Sequence, residues 1–256
     1  MTASNNQISN TRVLVAQIPE GVAPNKSHFR TVTVTEDKPE LEDGAIFVKN
    51  SVLSLDPYIK YDFSSGNEES PVAGFGLGKI VDSKNPAFPV GSTFFGPVRW
   101  ESYSVLTQDQ GLGESINLDA GLDKDLPLSV YNGVLGLSGF TVWDSLKRLG
   151  NLKKGETIYI SSAAGTLALH QGQEPAAPKN LINILMKQLR YEGYMVYEYF
   201  DQWESFWKEV TPLVKSGEIK FAETLIEGEL DIVAETYSRF LQGGYKGKVS
   251  VKIADL

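Results

Sequence analysis

The 256-residue chain contains no cysteine, and this absence excludes disulfides, thiolate zinc sites and a nucleophilic thiol. Histidine is scarce as well, with two residues, and no spacing of His, Asp and Glu predicts a metal site. The sequence has no GxSxG or other nucleophile motif, so covalent catalysis has no candidate residue.

Basic residues are outnumbered by acidic ones, 24 to 32, which gives a formal net charge of −8 without any cluster of Lys and Arg. We therefore expect no nucleic-acid partner and no anionic membrane partner. No apolar run approaches the roughly 20 residues that span a bilayer. Residues 1–11 lack the layout of a signal peptide, so we expect a soluble, cytoplasmic protein.

A glycine-rich nucleotide turn is also missing. Residues 157–162 (TIYISS) predict the opening strand of a nucleotide-binding domain. A dinucleotide-binding fold then requires a GxGxxG turn that opens a long helix. After Gly165 the chain instead reaches Gly172, Pro175 and Pro178, which leaves no room for a crossover of roughly 10 to 12 residues. The sequence predicts a Rossmann-like domain without its nucleotide-binding half.

Short alternating segments between residues 12 and 106 predict a β-barrel or sandwich. The predicted strands include residues 31–35, 45–53, 78–81 and 100–105. Beyond a linker-like stretch, the pattern predicts helices at 128–135, 141–149, 180–191 and 232–241 and around Phe206, a turn at 136–139, and strands at 194–200, 220–226 and 249–253. The predicted fold class is mixed α/β, with a disordered lead-in at 1–11, a β-rich domain at 12–126 and a truncated α/β domain at 127–256.

Several segments carry a family resemblance and keep its order. They are LSLDPY at 53–58, WESY at 100–103, LSVYNGVLGLSGFT at 128–141, KKGETIYISSAAG at 153–165, GEIK at 217–220 and GKV at 247–249. Together they resemble the medium-chain dehydrogenase/reductase superfamily, in its zinc-independent branch of prostaglandin reductases and alkenal double-bond reductases. The resemblance implies a GroES-like β-barrel domain and a Rossmann-like domain, here lacking one internal block.

Three cofactor contacts of the family have no counterpart in this sequence. The helix that receives the pyrophosphate is replaced by residues 166–169, although amides at a helix start are what neutralise phosphate. The family's cofactor-adjacent Tyr aligns with Gly172, and its nicotinamide-side Asn aligns near Tyr245. The resemblance therefore implies that no cofactor is used, with NADPH as the alternative if the chain is a reductase.

The substrate side of the family is retained. Tyr58 is a candidate catalytic hydrogen-bond donor to a substrate carbonyl, and His170 is a candidate acid or base. The competing interpretations are a Tyr packed under the Pro57 turn and a solvated His. Substrate-binding candidates around a small apolar molecule are Lys60, Trp100, Tyr103, Trp143 and Tyr245, although aromatic residues in strands usually belong to a core. Asp56 is predicted to be a turn residue, and Glu101 a surface carboxylate.

Three functions remain open at this point. The first is a cofactor-independent enzyme that isomerises, dehydrates or cyclises an apolar unsaturated or carbonyl-bearing molecule, including by a pericyclic reaction, in natural-product biosynthesis. The second is an NADPH-dependent double-bond reductase, and the third is a non-catalytic protein that binds a ligand. A sheet shortened on one side exposes an edge, so we expect a homodimer formed through the α/β part.

Overall fold

The computed structural model describes residues 6–19, 24–60, 69–150, 152–157, 180–188 and 193–256. The strands are β1 (Gln7–Val15), β2 (Phe29–Asp37), β3 (Ile46–Leu55), β4 (Ala73–Ser83), β5 (Thr93–Arg99), β6 (Tyr103–Leu106), β7 (Ile116–Asn117), β8 (Glu223–Glu227) and β9 (Lys248–Lys252). The α-helices are α1 (Leu137–Ser145), α2 (Ile182–Met186), α3 (Trp203–Lys215) and α4 (Val233–Leu241). Among the helices of these residues, none has the length and apolarity that a membrane span requires.

Strand β3 is the centre of a seven-stranded sheet with the order β7-β5-β4-β3-β9-β8, to which β6 is added on β3. One edge of β3 pairs with β4; the other pairs with β6 along residues 46–49 and with β9 along residues 52–55. Both faces of β3 are covered, so its residues are buried along nearly the whole strand, including the polar Asn50, Ser51 and Ser54. The predicted mixed α/β class, with a GroES-like β part and a truncated Rossmann-like part, is confirmed.

Strands β1 and β2 form a separate antiparallel pair, which we call the ribbon. The edge of β1 that does not pair with β2 is hydrogen-bonded to a loop of the larger sheet. Val13 N donates to Trp100 O at 2.8 Å, and Ser102 N donates to Thr11 O at 2.9 Å. Residues 7–11 were expected to belong to a disordered lead-in, and that expectation is wrong. Their polar side chains do not prevent a strand, because the loops satisfy its backbone and the side chain of Asn10.

Two hydrophobic cores lie on the sheet. The first, beneath the ribbon and α4, contains Trp100, whose ring lies 5.2 Å from that of Tyr237. The second is built around α1 and α3, where Phe140 stacks on Trp203 with their ring centroids 4.4 Å apart. Tyr58, three residues after the end of β3, packs against both cores. It therefore lies where the two cores meet.

Two predicted elements in the C-terminal half are wrong. Residues 194–200 were predicted as an aromatic strand, but Val196–Gln202 form a 3-10 helix. Its three-residue repeat places Phe200 between Tyr197 and Trp203, with ring centroids 5.6 and 5.8 Å away. The turn predicted at 136–139 is helical instead, because α1 begins at Leu137. Gly139 allows this close packing, since a Cβ there would lie 1.8 Å from the Val134 carbonyl oxygen.

The other predicted helices and strands are present with shifted ends. The helix predicted at 128–135 is the 3-10 helix Leu128–Asn132, and that predicted at 180–191 is reduced to α2 in the described residues. The apolar side chains of this segment, Leu181, Ile182, Leu185 and Met186, are 57 to 73% exposed. The expected homodimer would cover this face and stays a prediction. The strand predicted at 157–162 falls, except for Thr157, outside the described residues.

Glu101 was expected on the surface but is 5% exposed. Its carboxylate accepts hydrogen bonds from Ser104 Oγ at 3.0 Å, Arg12 Nε at 3.0 Å and Asn10 Nδ2 at 3.4 Å. Burial raises the pKa of Glu101, although Ser104, Arg12 and Arg99 act in the opposite direction. This network fastens β1 to the loop between β5 and β6.

Glu101→Gln should remove a pH dependence from the stability of the protein. Because the folded-state pKa is raised, the folded protein binds more protons than the unfolded chain, so the wild type loses stability as the pH rises through that pKa. We expect the free energy of unfolding of the wild type, relative to the variant, to fall between about pH 4 and pH 7. Urea unfolding measures it, and a relative stability that is constant or rises over that range would contradict the assignment.

Candidate functional site

The turn that follows β3 carries a buried ion pair. Asp56 is 5% exposed and accepts a hydrogen bond from Lys248 Nζ at 2.5 Å and another from Ser54 Oγ. Lys248 comes from β9, and 8% of its side chain is exposed. The Asp56 carbonyl oxygen also accepts a hydrogen bond from the Tyr237 hydroxyl at 3.4 Å. The predicted turn residue is therefore the acidic partner of a strand lysine 192 positions away.

This pair has structural and chemical consequences. Two buried charges lose their hydration, and only close mutual contact with further hydrogen bonds offsets that cost. The pair therefore holds the turn of Asp56 against β9. The Lys248 ammonium is neutralised by a carboxylate, so it is not placed as an independent proton donor.

Asn132, the last residue of the 3-10 helix Leu128–Asn132, is bonded to the same strand as Lys248. It is 2% exposed, and its Nδ2 donates to Ser250 Oγ of β9 at 2.9 Å. Its Oδ1 is buried and has no hydrogen-bond partner within the described residues. Ser129 Oγ, on the same short helix, donates to Glu223 Oε1 of β8 at 2.8 Å. Because buried polar atoms are nearly always paired, Asn132 Oδ1 is an acceptor suited to a ligand donor.

Tyr58 follows Asp56 by two residues and is the predicted catalytic residue that the structure places best. Its ring packs against both cores, and its hydroxyl is buried rather than placed at an open rim as expected. Lys60 is half-buried two residues further on. The other catalytic candidate, His170, lies outside the described residues, so its role stays a prediction.

The aromatic residues predicted to bind substrate do not line one cleft. Trp100 is 0% exposed and belongs to the first core, so the expected position in a cleft wall is wrong. Tyr103 stacks on Phe47, 5.5 Å away, in a third small cluster apart from both cores that contact Tyr58.

Trp143 and Tyr245 each pack against one of the two cores that Tyr58 contacts. Trp143 packs on the second core, and its Nε1 donates to Glu209 Oε2 at 3.0 Å. Tyr245 packs on the first core and has the Arg239 guanidinium 5.0 Å from its ring centre. Both residues therefore flank cores that Tyr58 joins, on different sides.

Sequence reasoning missed Lys248, Asn132 and the burial of Asp56. A signal was present, because Asp56 and Lys248 each stand in a family motif next to a predicted strand. A charged residue in such a position requires a partner. The sequence alone did not pair these two charges.

The crossover near the C-terminus, which lies in the described residues, does not offer a pyrophosphate site. One strand-helix-strand crossover is present, from β8 through α4 to the parallel β9. The start of its helical segment carries Glu229 and Asp231, whose charge opposes a pyrophosphate at the place where amides would receive it. Nor do His, Asp and Glu side chains in this part of the chain form a group that could hold a metal ion.

Comparison with known proteins places this geometry in a family. A model described as the N-terminal domain of oxidoreductase matches residues 11–113. A 2-alkenal reductase (NADP(+)-dependent) of Nicotiana tabacum is 33% identical over 180 residues, which cover 65% of this chain and 49% of the tobacco protein. The chain is also 24% identical to (+)-pulegone reductase of Mentha piperita over 318 residues. This match covers 86% of this chain and 90% of the relative.

Solved structures share the fold of this chain. The crystal structure of CurA in complex with NADPH from Vibrio vulnificus superposes with a TM-score of 0.77 at 18% identity, covering 96% of this chain and all of that one. The chain thus belongs to the medium-chain dehydrogenase/reductase superfamily. Within it, the sequence falls in the branch that includes the alkenal and prostaglandin reductases.

The chain spans about half the length of the tobacco relative. The match to pulegone reductase runs over 318 residues, more than the 256 of the whole chain. It reaches most of both proteins, so it must pass over an internal block that the relative has and this chain lacks. That result agrees with the short segment that the sequence has between Gly165 and Asn180.

Lys248→Met should destabilise the protein by about 3 kcal/mol or more, because it leaves the Asp56 carboxylate buried without its cation. Lys252→Met is the matched control on the same strand, since its ion pairs with Glu227 and Asp255 are exposed and screened by water, so their loss should have little effect. Urea unfolding of both variants tests the difference. An equal loss of unfolding free energy in the two variants would show that the buried pair stabilises the fold no more than the exposed ones.

Proposed function

We propose that this chain binds a small apolar molecule with a double bond next to a carbonyl group, and acts on that double bond at Tyr58. The observation that carries the proposal is the buried Asp56–Lys248 pair, which holds Tyr58 where the two cores meet. The names of the relatives support the substrate class, because they are reductases of alkenals and of pulegone.

Tyr58 is the residue that would polarise the substrate. Its phenol donates a hydrogen bond to the carbonyl oxygen, where negative charge develops when the double bond reacts. Such a bond is stronger in a site without water, and the Tyr58 hydroxyl is buried. The apolar walls of the two cores would hold the hydrocarbon part of the ligand.

Reduction with NADPH is the reaction that the comparisons favour, because the tobacco relative is NADP(+)-dependent and a neighbour in fold was solved with NADPH. They favour it over the cofactor-free enzyme that sequence reasoning placed first. The second candidate is a rearrangement without a cofactor. The short segment between Gly165 and Asn180 supports it, as do Glu229 and Asp231 at the start of the crossover helix that leads to β9.

Tyr58→Phe should reduce turnover of a medium-chain 2-alkenal by about 10²-fold, because one hydrogen bond to the developing charge is lost. The fold should be unaffected, since the ring remains between the two cores. Tyr103→Phe is the control, because that tyrosine packs in a separate cluster. Wild-type turnover in Tyr58→Phe, or equal losses in both variants, would remove Tyr58 from the mechanism.

Micromolar binding of NADPH separates the two candidates. The reductase requires it, whereas the rearrangement needs none, and the short segment after Gly165 and the acidic residues Glu229 and Asp231 favour its absence. Calorimetric titration measures binding, and turnover with and without NADPH measures dependence. Micromolar binding, or turnover that stops without NADPH, would establish the reductase. Turnover that continues without it would establish the cofactor-free reaction.

A further inference from the structure

The turn that carries Tyr58 is held at its first residue, Asp56. The Asp56 carbonyl oxygen accepts a hydrogen bond from Ile59 N at 3.2 Å, so the turn closes with Pro57 and Tyr58 as its two central residues. Proline is favoured at the first of these positions, because its ring presets the backbone angle that a turn needs there. The direction in which the Tyr58 side chain leaves the turn therefore depends on where Asp56 lies.

Two residues of the crossover near the C-terminus bind Asp56 at different groups. Lys248 of β9 binds its carboxylate. Tyr237 of α4 binds its main chain instead, since the Tyr237 hydroxyl donates to the Asp56 carbonyl oxygen at 3.4 Å. The ion pair acts on the end of a side chain, which can rotate relative to the peptide group. The bond from Tyr237 acts on the peptide group itself, which is part of the turn.

Packing fixes the position from which the Tyr237 hydroxyl reaches the turn. Tyr237 is 0% exposed, and its ring meets that of Trp100 edge to face, with the centroids 5.2 Å apart and the planes at 76°. A second edge-to-face contact, at 6.4 Å and 81°, joins it to Phe29 of β2. Aromatic rings favour this arrangement. None of these contacts involves the hydroxyl, so the ring holds its place independently of the hydrogen bond.

We propose that Tyr237 is a positioning residue for the reaction at Tyr58, an inference that rests on the function proposed above. By holding the Asp56 carbonyl group, Tyr237 orients the turn so that the Tyr58 hydroxyl is aimed at the carbonyl oxygen of the substrate. Stabilisation of developing charge depends on geometry, so a small displacement of Tyr58 lowers the rate. Tyr237 acts through the main chain and has no contact with the substrate in this role.

Tyr237→Phe removes the hydroxyl and keeps the ring, so the packing against Trp100 and Phe29 should remain. We expect kcat for a medium-chain 2-alkenal, measured with NADPH and without it, to fall roughly three- to tenfold. KM should stay unchanged, because the apolar walls that bind the hydrocarbon part of the substrate are the same. Tyr103→Phe is the control, since that tyrosine packs in a separate cluster, and it should keep the wild-type kcat.

A double variant separates positioning from a merely structural role. If Tyr237 acts through the Tyr58 hydroxyl, adding Tyr237→Phe to Tyr58→Phe should lower kcat no further, because the hydrogen bond that Tyr237 aims is already gone. A structural role would lower kcat by the same factor in both backgrounds.

The main-chain amide signals of Tyr58 and Ile59 in NMR spectra test the same role without turnover. They should shift in Tyr237→Phe, because the turn moves when its carbonyl group is released. The same signals should stay in place in Tyr103→Phe.

Three outcomes would overturn the role of Tyr237: wild-type kcat in Tyr237→Phe, the same further loss in the Tyr58→Phe background, or amide signals of Tyr58 and Ile59 that do not shift. Wild-type turnover in Tyr58→Phe is a different failure. It would remove the function proposed for Tyr58, and the role of Tyr237 with it.

Discussion

The buried ion pair between Asp56 and Lys248 is the interaction on which the arrangement of the C-terminal residues depends. A lysine in the middle of a core is tolerated only beside a carboxylate, and this requirement places β9 along the second half of β3. Strand β8 then pairs with β9, and α4, which connects them, covers the first core. One sheet therefore crosses the domain boundary expected at residues 126 and 127.

The candidate site is a product of that arrangement. The 3-10 helix Leu128–Asn132 is bonded to β8 and β9 through Ser129 and Asn132. The turn of Tyr58 is bonded to β9 through Asp56. The turn and the 3-10 helix thus stay bonded to β8 and β9 without the internal block that the pulegone reductase match passes over, because their contacts join the barrel to strands at the C-terminus.

Buried polar groups also determine where the ribbon lies. Asn10, Arg12 and Glu101 form a network that fastens β1 to the sheet, and Asn50 supports the loop of Glu101 from the other side. Nearly every polar atom in this network has a partner. The amide oxygens of Asn50 and Asn132 have no hydrogen-bond partner within the described residues.

Local patterns predicted much of this protein. The spacing of Phe206, Val210 and Val214 predicted α3, and alternation predicted β2. Each of these elements is determined by neighbours in the sequence, through the repeat of a helix or strand. The family motifs predicted the fold class for the same reason, since they are short and contiguous.

The tertiary structure alone decided which polar residues are buried and which aromatic residues belong to the core. Asp56 and Lys248 are 192 positions apart, and Glu101 meets Arg12 across 89. No local pattern carries such pairings. The aromatic run at 194–200 is likewise compatible with a strand by propensity, yet stacking on Trp203 and Phe140 makes it a 3-10 helix. Burial and long-range packing outweigh local preference in such places. The free energy of burying a ring, or of leaving a buried charge without a partner, is larger than the secondary-structure propensity of one residue.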